Sequence, residues 1–88
     1  MQDITIYVTT NCPYCVSAKR LLTSRGYPFK EIDLTHNMEL RETLSRENQG
    51  YRTVPMIFIG TKFIGGFDNL AQLDQSGKLK DLVQATND

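Results

Sequence analysis

The sequence predicts an α/β domain in which a mixed four-stranded sheet is flanked by helices, in the order β-α-β-α-β-β-α. Three observations carry that expectation. The run Ile4-Thr5-Ile6-Tyr7-Val8 alternates with period two and opens directly into a helix-like run. A second strand and a second helix repeat the pattern, which makes a βαβ unit. Two further strand-like runs, separated by Gly60-Thr61, read as a hairpin. A βαβ unit followed by a hairpin places parallel and antiparallel pairs in one sheet.

Each element follows from its own residues. The first strand covers Asp3 to Val8, with Ile4, Ile6 and Val8 alternating against Thr5 and Tyr7. The first helix starts near Pro13, whose missing N–H would be unpaired at that position in any case. It carries Cys15, Ala18, Leu21 and Leu22 along one face and ends at Gly26. A second strand, Phe29 to Asp33, follows Pro28. Asn37 reads as the N-cap of a second helix running to about Asn48, with Leu40 and Leu44 one turn apart and Gln49-Gly50 closing it. Met56-Ile57-Phe58-Ile59 is continuously apolar, as suits a strand buried on both faces, and Lys62-Phe63-Ile64 is its returning partner. Gly65-Gly66 breaks that strand. Asp68 reads as the cap of a third helix with Leu70 and Leu73 inward, which Gly77 interrupts before Leu79, Leu82 and Val83. Without a repeat, linker or low-complexity stretch, residues 1–88 form one domain.

Composition narrows the function classes. At 88 residues the chain is close to the size at which a single core just suffices. Ten basic and ten acidic residues create no large uniform field, so neither nucleic acid nor a membrane surface is an expected partner. There is no apolar run long enough for a membrane span. Met1-Gln2-Asp3 leads into a strand without the basic and apolar regions of a signal peptide. The expectation is a cytoplasmic monomer in a reducing compartment, where a lone cysteine pair is more often catalytic than structural.

That pair is Cys12-Pro13-Tyr14-Cys15, which holds the only two cysteines of the chain. A C-x-x-C at a strand-to-helix turn near the start of a βαβ pattern points to thiol–disulfide chemistry. The helix N-terminus presents unpaired N–H groups and the positive end of the helix dipole, and both favour thiolate over thiol. A structural zinc site would need four ligands, whereas the chain offers two Cys and His36, a residue of the polar stretch Thr35-His36-Asn37. No metal site is therefore predicted. A purely structural disulfide would close a very short loop and contribute little through chain entropy. Cys12, ahead of the helix, is the expected nucleophile, and Cys15, one turn in, the resolving thiol.

Two further motifs accompany C-P-Y-C: Thr53-Val54-Pro55 and Gly65-Gly66-Phe67-Asp68. With all three, in this order and at this spacing, the chain resembles a dithiol glutaredoxin of the bacterial kind, in the thioredoxin superfamily, over essentially its whole length. The resemblance implies a thioredoxin-like fold and glutathione-dependent reduction of protein disulfides and glutathione mixed disulfides through Cys12 and Cys15. Glutathione would be the reducing co-substrate, with no tightly bound cofactor, and disulfide-containing proteins the partners. The implied glutathione site comprises Tyr14, Arg52, Thr53, Val54, Pro55, Gly66, Phe67 and Asp68.

The residues suit those roles. Tyr14 would offer a partly exposed ring beside the active sulfur. The resemblance implies a cis Val54-Pro55 peptide and a Val54 backbone that pairs with an extended peptide as an added strand would. Gly65-Gly66 would let backbone approach a ligand closely, with Gly66 in the implied site. The Phe67 and Asp68 amides would hold the γ-glutamyl carboxylate at a helix start, with the Asp68 side chain facing its ammonium group. Many glutaredoxins carry a lysine shortly before the first cysteine, but here that stretch reads Val8-Thr9-Thr10-Asn11. Arg52 is the expected replacement cation, with Lys19 and Arg20 as alternatives. Two other functions stay open. A thioredoxin-reductase-dependent redoxin would have no use for Gly65-Gly66-Phe67-Asp68. A glutathione-ligated iron–sulfur carrier usually has glycine and serine where this chain has Pro13 and Cys15.

Overall fold

A computed structural model describes residues 1–85; residues 86–88 of the predicted domain lie outside the described residues. Eight elements follow in chain order: β1 (Ile4–Val8), α1 (Pro13–Ser24), β2 (Lys30–Asp33), α2 (Met38–Glu47), β3 (Met56–Ile59), β4 (Lys62–Gly65), α3 (Phe67–Gln75) and α4 (Lys78–Gln84). The strands form one sheet in the order β2-β1-β3-β4. β1 pairs parallel with β2 and antiparallel with β3, and β3 pairs antiparallel with β4. The mixed sheet is the one predicted, because a βαβ crossover makes its strands parallel and a tight hairpin makes them antiparallel.

Burial on both sheet faces explains the strand sequences. Ile4, Ile6 and Val8 of β1, with Ile57 and Ile59 of β3, face a core completed by Cys15, Ala18 and Leu22 of α1, Leu70 of α3, and Leu79 and Val83 of α4. On the opposite face Met56 joins Leu34, just after β2, and Leu44 of α2, with Tyr7, Ile32, Phe58 and Phe63 packed around them. The central strand β3 therefore needs apolar residues at every position, whereas β2, at the sheet edge, reads Lys-Glu-Ile-Asp. A fully buried Leu or Ile contributes roughly 1.5–3 kcal/mol to such a core.

Two sequence expectations change here. The last predicted helix is two helices: Gly77 has φ +81 and serves as N-cap of α4, so the chain turns between Gln75 and Lys78. A left-handed residue cannot continue a right-handed helix, and glycine takes that conformation at little steric cost. Second, Asp68 is not the cap of α3. The helix starts one residue earlier, at Phe67, with Gly66 as its N-cap, and the Gly66 N–H donates to Asn69 Oδ1 at 3.1 Å. The other boundaries move by about a residue, β2 beginning at Lys30 and not at Phe29. Asn37 caps α2 as predicted, its Oδ1 accepting from the Leu40 N–H at 3.1 Å.

Candidate active site

α1 begins where β1 ends, and its N-cap residue is Cys12. The Cys12 sulfur takes the place that a serine or aspartate oxygen usually holds at a helix start, accepting from the Cys15 N–H at 3.2 Å. One turn of helix brings the sulfurs together: Cys12 and Cys15 are paired as a disulfide, their Cα atoms 5.2 Å apart. Cys15 is 2% exposed and packed into the core, whereas Cys12 is half-buried at its rim. The outer position of Cys12 and the inner position of Cys15 agree with the expected order of attack. An N–H aimed at sulfur favours its anionic form, and the helix dipole acts in the same direction.

The loop that delivers Cys12 is braced from below. Thr35 donates to Asp33 Oδ1 through both its N–H, at 2.8 Å, and its hydroxyl, at 2.5 Å. The Thr35 hydroxyl oxygen in turn accepts the Thr10 N–H at 2.8 Å and lies 2.7 Å from the Thr10 hydroxyl. These bonds hold the Asp33 carboxyl below its ordinary pKa, the Thr35 hydroxyl bond contributing most.

Across from Cys12 lies the Val54-Pro55 segment, whose peptide bond is cis. The Val54 carbonyl oxygen is 3.7 Å from the Cys12 sulfur. Beyond it opens a groove of about 250 Å³, lined by Tyr14, Tyr51, Thr53, Val54, Pro55, Gly66, Phe67, Asp68 and Asn69. Tyr14 is 62% exposed, and its ring stands 6.4 Å from that of Phe67, centroid to centroid. The far wall is the start of α3, whose first amides have no acceptor within the helix.

The structure thus gathers seven of the predicted ligand residues, Tyr14, Thr53, Val54, Pro55, Gly66, Phe67 and Asp68, along one groove beside the dithiol. Arg52 is the exception. It is exposed and lies outside the groove lining, and its carbonyl oxygen accepts from Arg41 Nη2 at 3.0 Å. Of the alternative cations, Lys19 is ion-paired with Glu31 at 3.0 Å, and Arg20 is exposed on α1. Sequence reasoning missed three residues: Tyr51 and Asn69, which line the groove, and Arg41, which reaches Arg52 from α2. Tyr51 and Asn69 each flank a recognised motif by one or two positions, a signal that was available. Arg41 carried none, since only the packing of α2 brings it there.

A redox-active cysteine pair at a helix start, beside a cis-proline on a four-stranded mixed sheet, defines a thiol–disulfide oxidoreductase of the thioredoxin-like fold. Comparison with known proteins narrows the class: the family profile described as Glutaredoxin matches residues 4–64. A Glutaredoxin of Pseudomonas aeruginosa is 45% identical over 85 residues, covering 97% of this chain and 100% of its own. The solution structure of a glutaredoxin from Brucella melitensis superposes with a TM-score of 0.85 at 44% identity, covering 96% of this chain and 90% of that one. A buckwheat glutaredoxin solved as its glutathione complex gives a TM-score of 0.87 at 30% identity, covering 93% of this chain and 76% of that one. The chain belongs to the glutaredoxin family, and its Cys12–Cys15 pair is the dithiol form of that family's redox centre.

Proposed function

We propose that the protein reduces protein disulfides and glutathione mixed disulfides, and that glutathione recharges it. The observation that carries this reading is the groove of about 250 Å³ between Tyr14, the Val54-Pro55 segment and the start of α3, which the Val54 carbonyl, 3.7 Å from the Cys12 sulfur, places beside the dithiol. Its position beside Cys12 and its chemistry suit a tripeptide thiol. Cysteine sulfur would sit at Cys12, the central backbone along Val54, and the γ-glutamyl end at Phe67 and Asp68. The buckwheat relative's glutathione complex supports the same occupant.

The chemistry follows from the two thiols. Cys12 thiolate attacks one sulfur of a substrate disulfide; that S–S bond breaks, a mixed disulfide with Cys12 forms, and the other substrate sulfur leaves as thiolate and is protonated. For a protein disulfide, Cys15 thiolate then attacks the Cys12 sulfur, releasing the second substrate thiol and closing the Cys12–Cys15 disulfide. One glutathione thiolate opens that disulfide at Cys12, and a second displaces the first as glutathione disulfide. Both protein thiols are thereby restored. For a glutathione mixed disulfide, Cys12 takes the glutathionyl group and one glutathione removes it.

In the groove the α3 amides of Phe67 and Asp68 hold the γ-glutamyl carboxylate, and the Asp68 carboxylate faces the ammonium group. At the other end Arg52 and the Arg41 guanidinium that meets its carbonyl provide positive charge for the glycine carboxylate. The protein works as a cytoplasmic monomer with no tightly bound cofactor, glutathione being a co-substrate. This agrees with a lone catalytic cysteine pair kept reduced by its surroundings. A coupled assay with glutathione, glutathione reductase and a small mixed disulfide tests the reading. Rapid turnover is expected there, and slow turnover when thioredoxin reductase supplies the electrons. The opposite ranking would overturn it.

A further inference from the structure

Tyr51 stands in the groove without belonging to any of the three motifs. Its ring meets Phe63 edge-on, with centroids 5.0 Å apart and planes at 76°, and packs against the core on the α2 side of the sheet. That packing aims the hydroxyl at the start of α3. A Cβ built on Gly66 would come within 2.5 Å of the Tyr51 oxygen and 3.6 Å of the Pro55 carbonyl oxygen. The hydroxyl therefore lies directly over the Gly66 Cα, between the cis-proline segment and the first turn of α3. Among the described residues it has no hydrogen-bond partner. A phenol with a packed, half-buried ring and an unpaired tip ordinarily bonds whatever polar group meets it.

A carboxylate accepts several hydrogen bonds, and such bonds are stronger than those between neutral groups. We propose that Tyr51 is a specificity-determining residue: its hydroxyl donates to the α-carboxylate of the γ-glutamyl end of the tripeptide, beside the α3 amides. The proposal rests on the reading that glutathione occupies this groove. A rigid phenol at that point rewards thiols that carry a γ-glutamyl group and gives nothing to small thiols that lack one.

Tyr51→Phe removes the oxygen and keeps the contact with Phe63. The variant is compared with wild type on one peptide carrying its cysteine as a disulfide either with glutathione or with cysteamine, which has no carboxylate. The preference for the glutathionylated peptide falls about tenfold, as expected for losing a hydrogen bond to a charged group, and the loss appears in KM and not in kcat. An equal preference in the two proteins, or an equal loss on both substrates, overturns the proposal. A second measurement needs no change at Tyr51. In Cys15→Ser protein, the NMR resonance of the Tyr51 ζ-carbon shifts when Cys12 is joined to glutathione but not when it is joined to cysteamine; identical resonances overturn the proposal. Failure of the functional reading is seen separately, as a wild-type protein that does not turn over the glutathionylated peptide.

Discussion

Two helices begin at the groove, and their first turns are closed in opposite ways. At α1 the capping atom is the Cys12 sulfur, which accepts the Cys15 N–H. At α3 the cap is Gly66, which has no side chain, and Asn69 Oδ1 takes the Gly66 N–H from within the helix. The α1 start directs a donor onto the protein's own reacting atom. The α3 start leaves its Phe67 and Asp68 amides to whatever enters the groove. The same helix-end electrostatics thus serve activation at one wall and binding at the other.

The largest expected effects lie at the α1 end. Cys12→Ser abolishes reduction of both protein disulfides and glutathione mixed disulfides. Cys15→Ser retains most activity on glutathione mixed disulfides, because glutathione replaces the resolving thiol, and loses most on a protein disulfide. Turnover of the two substrate types by both variants checks this. A Cys12→Ser protein that keeps either activity would mean that the sulfur capping α1 is not the nucleophile.

At the α3 end the effects are intermediate and confined to glutathione. Asp68→Asn removes a charge-assisted contact worth roughly 1.5–3 kcal/mol and raises the glutathione concentration needed for half-maximal rate. Because Gly66, and not Asp68, caps the helix, thermal stability is expected to change little. A matching loss in alkylation of Cys12 by a neutral reagent would show that the two helix ends are not separable.

Close packing at that end gives a smaller and reversible effect. Gly66 has φ −101, open to any residue, but an added Cβ would meet the Tyr51 oxygen at 2.5 Å. Gly66→Ala therefore costs roughly 1–3 kcal/mol in stability through overpacking. Adding Tyr51→Phe returns most of it, since the nearest remaining atom is the Pro55 carbonyl oxygen at 3.6 Å. Denaturant unfolding of the two single variants and the double variant measures the coupling; additive losses would contradict the contact.

The smallest effect concerns the brace beneath Cys12. Asp33 has its pKa lowered by Thr35, so its bonds add stability above the ordinary carboxylate range, and that stability is lost as pH falls through the lowered folded-state value. Asp33→Asn should show slightly lower stability at neutral pH and a shallower loss in acid, measured by melting from neutral to strongly acidic solution. A steeper acid loss than wild type would reverse the sign assigned here.

Much of this was legible in the sequence because local patterns and tertiary needs coincide. The alternation of Ile4, Ile6 and Val8 marked a strand, and the unbroken Met56–Ile59 run marked one covered on both faces. The C-P-Y-C motif located the dithiol, and the other two motifs pointed to the opposite wall. What failed was decided by backbone path or by distant packing. Asp68 is a good capping residue, yet Gly65, with φ +114, and extended Gly66 start the helix before it. Arg52 sits next to a motif but outside the groove lining, while Arg41 arrives from α2 and Tyr51 is turned inward by Phe63. No local pattern encodes the placement of Arg52 or Arg41, whereas Tyr51 lies only two residues before the Thr53-Val54-Pro55 motif.

The central claim is that the start of α1 makes Cys12, and not Cys15, the reactive thiolate. Alkylation of the reduced protein at roughly pH 5, well below the ordinary thiol range, followed by peptide mapping, tests it directly. Labelling is expected almost wholly on Cys12, whose sulfur accepts a helix N–H at the rim, with Cys15, 2% exposed, reacting far more slowly. Equal labelling, or labelling that favours Cys15, would contradict the account.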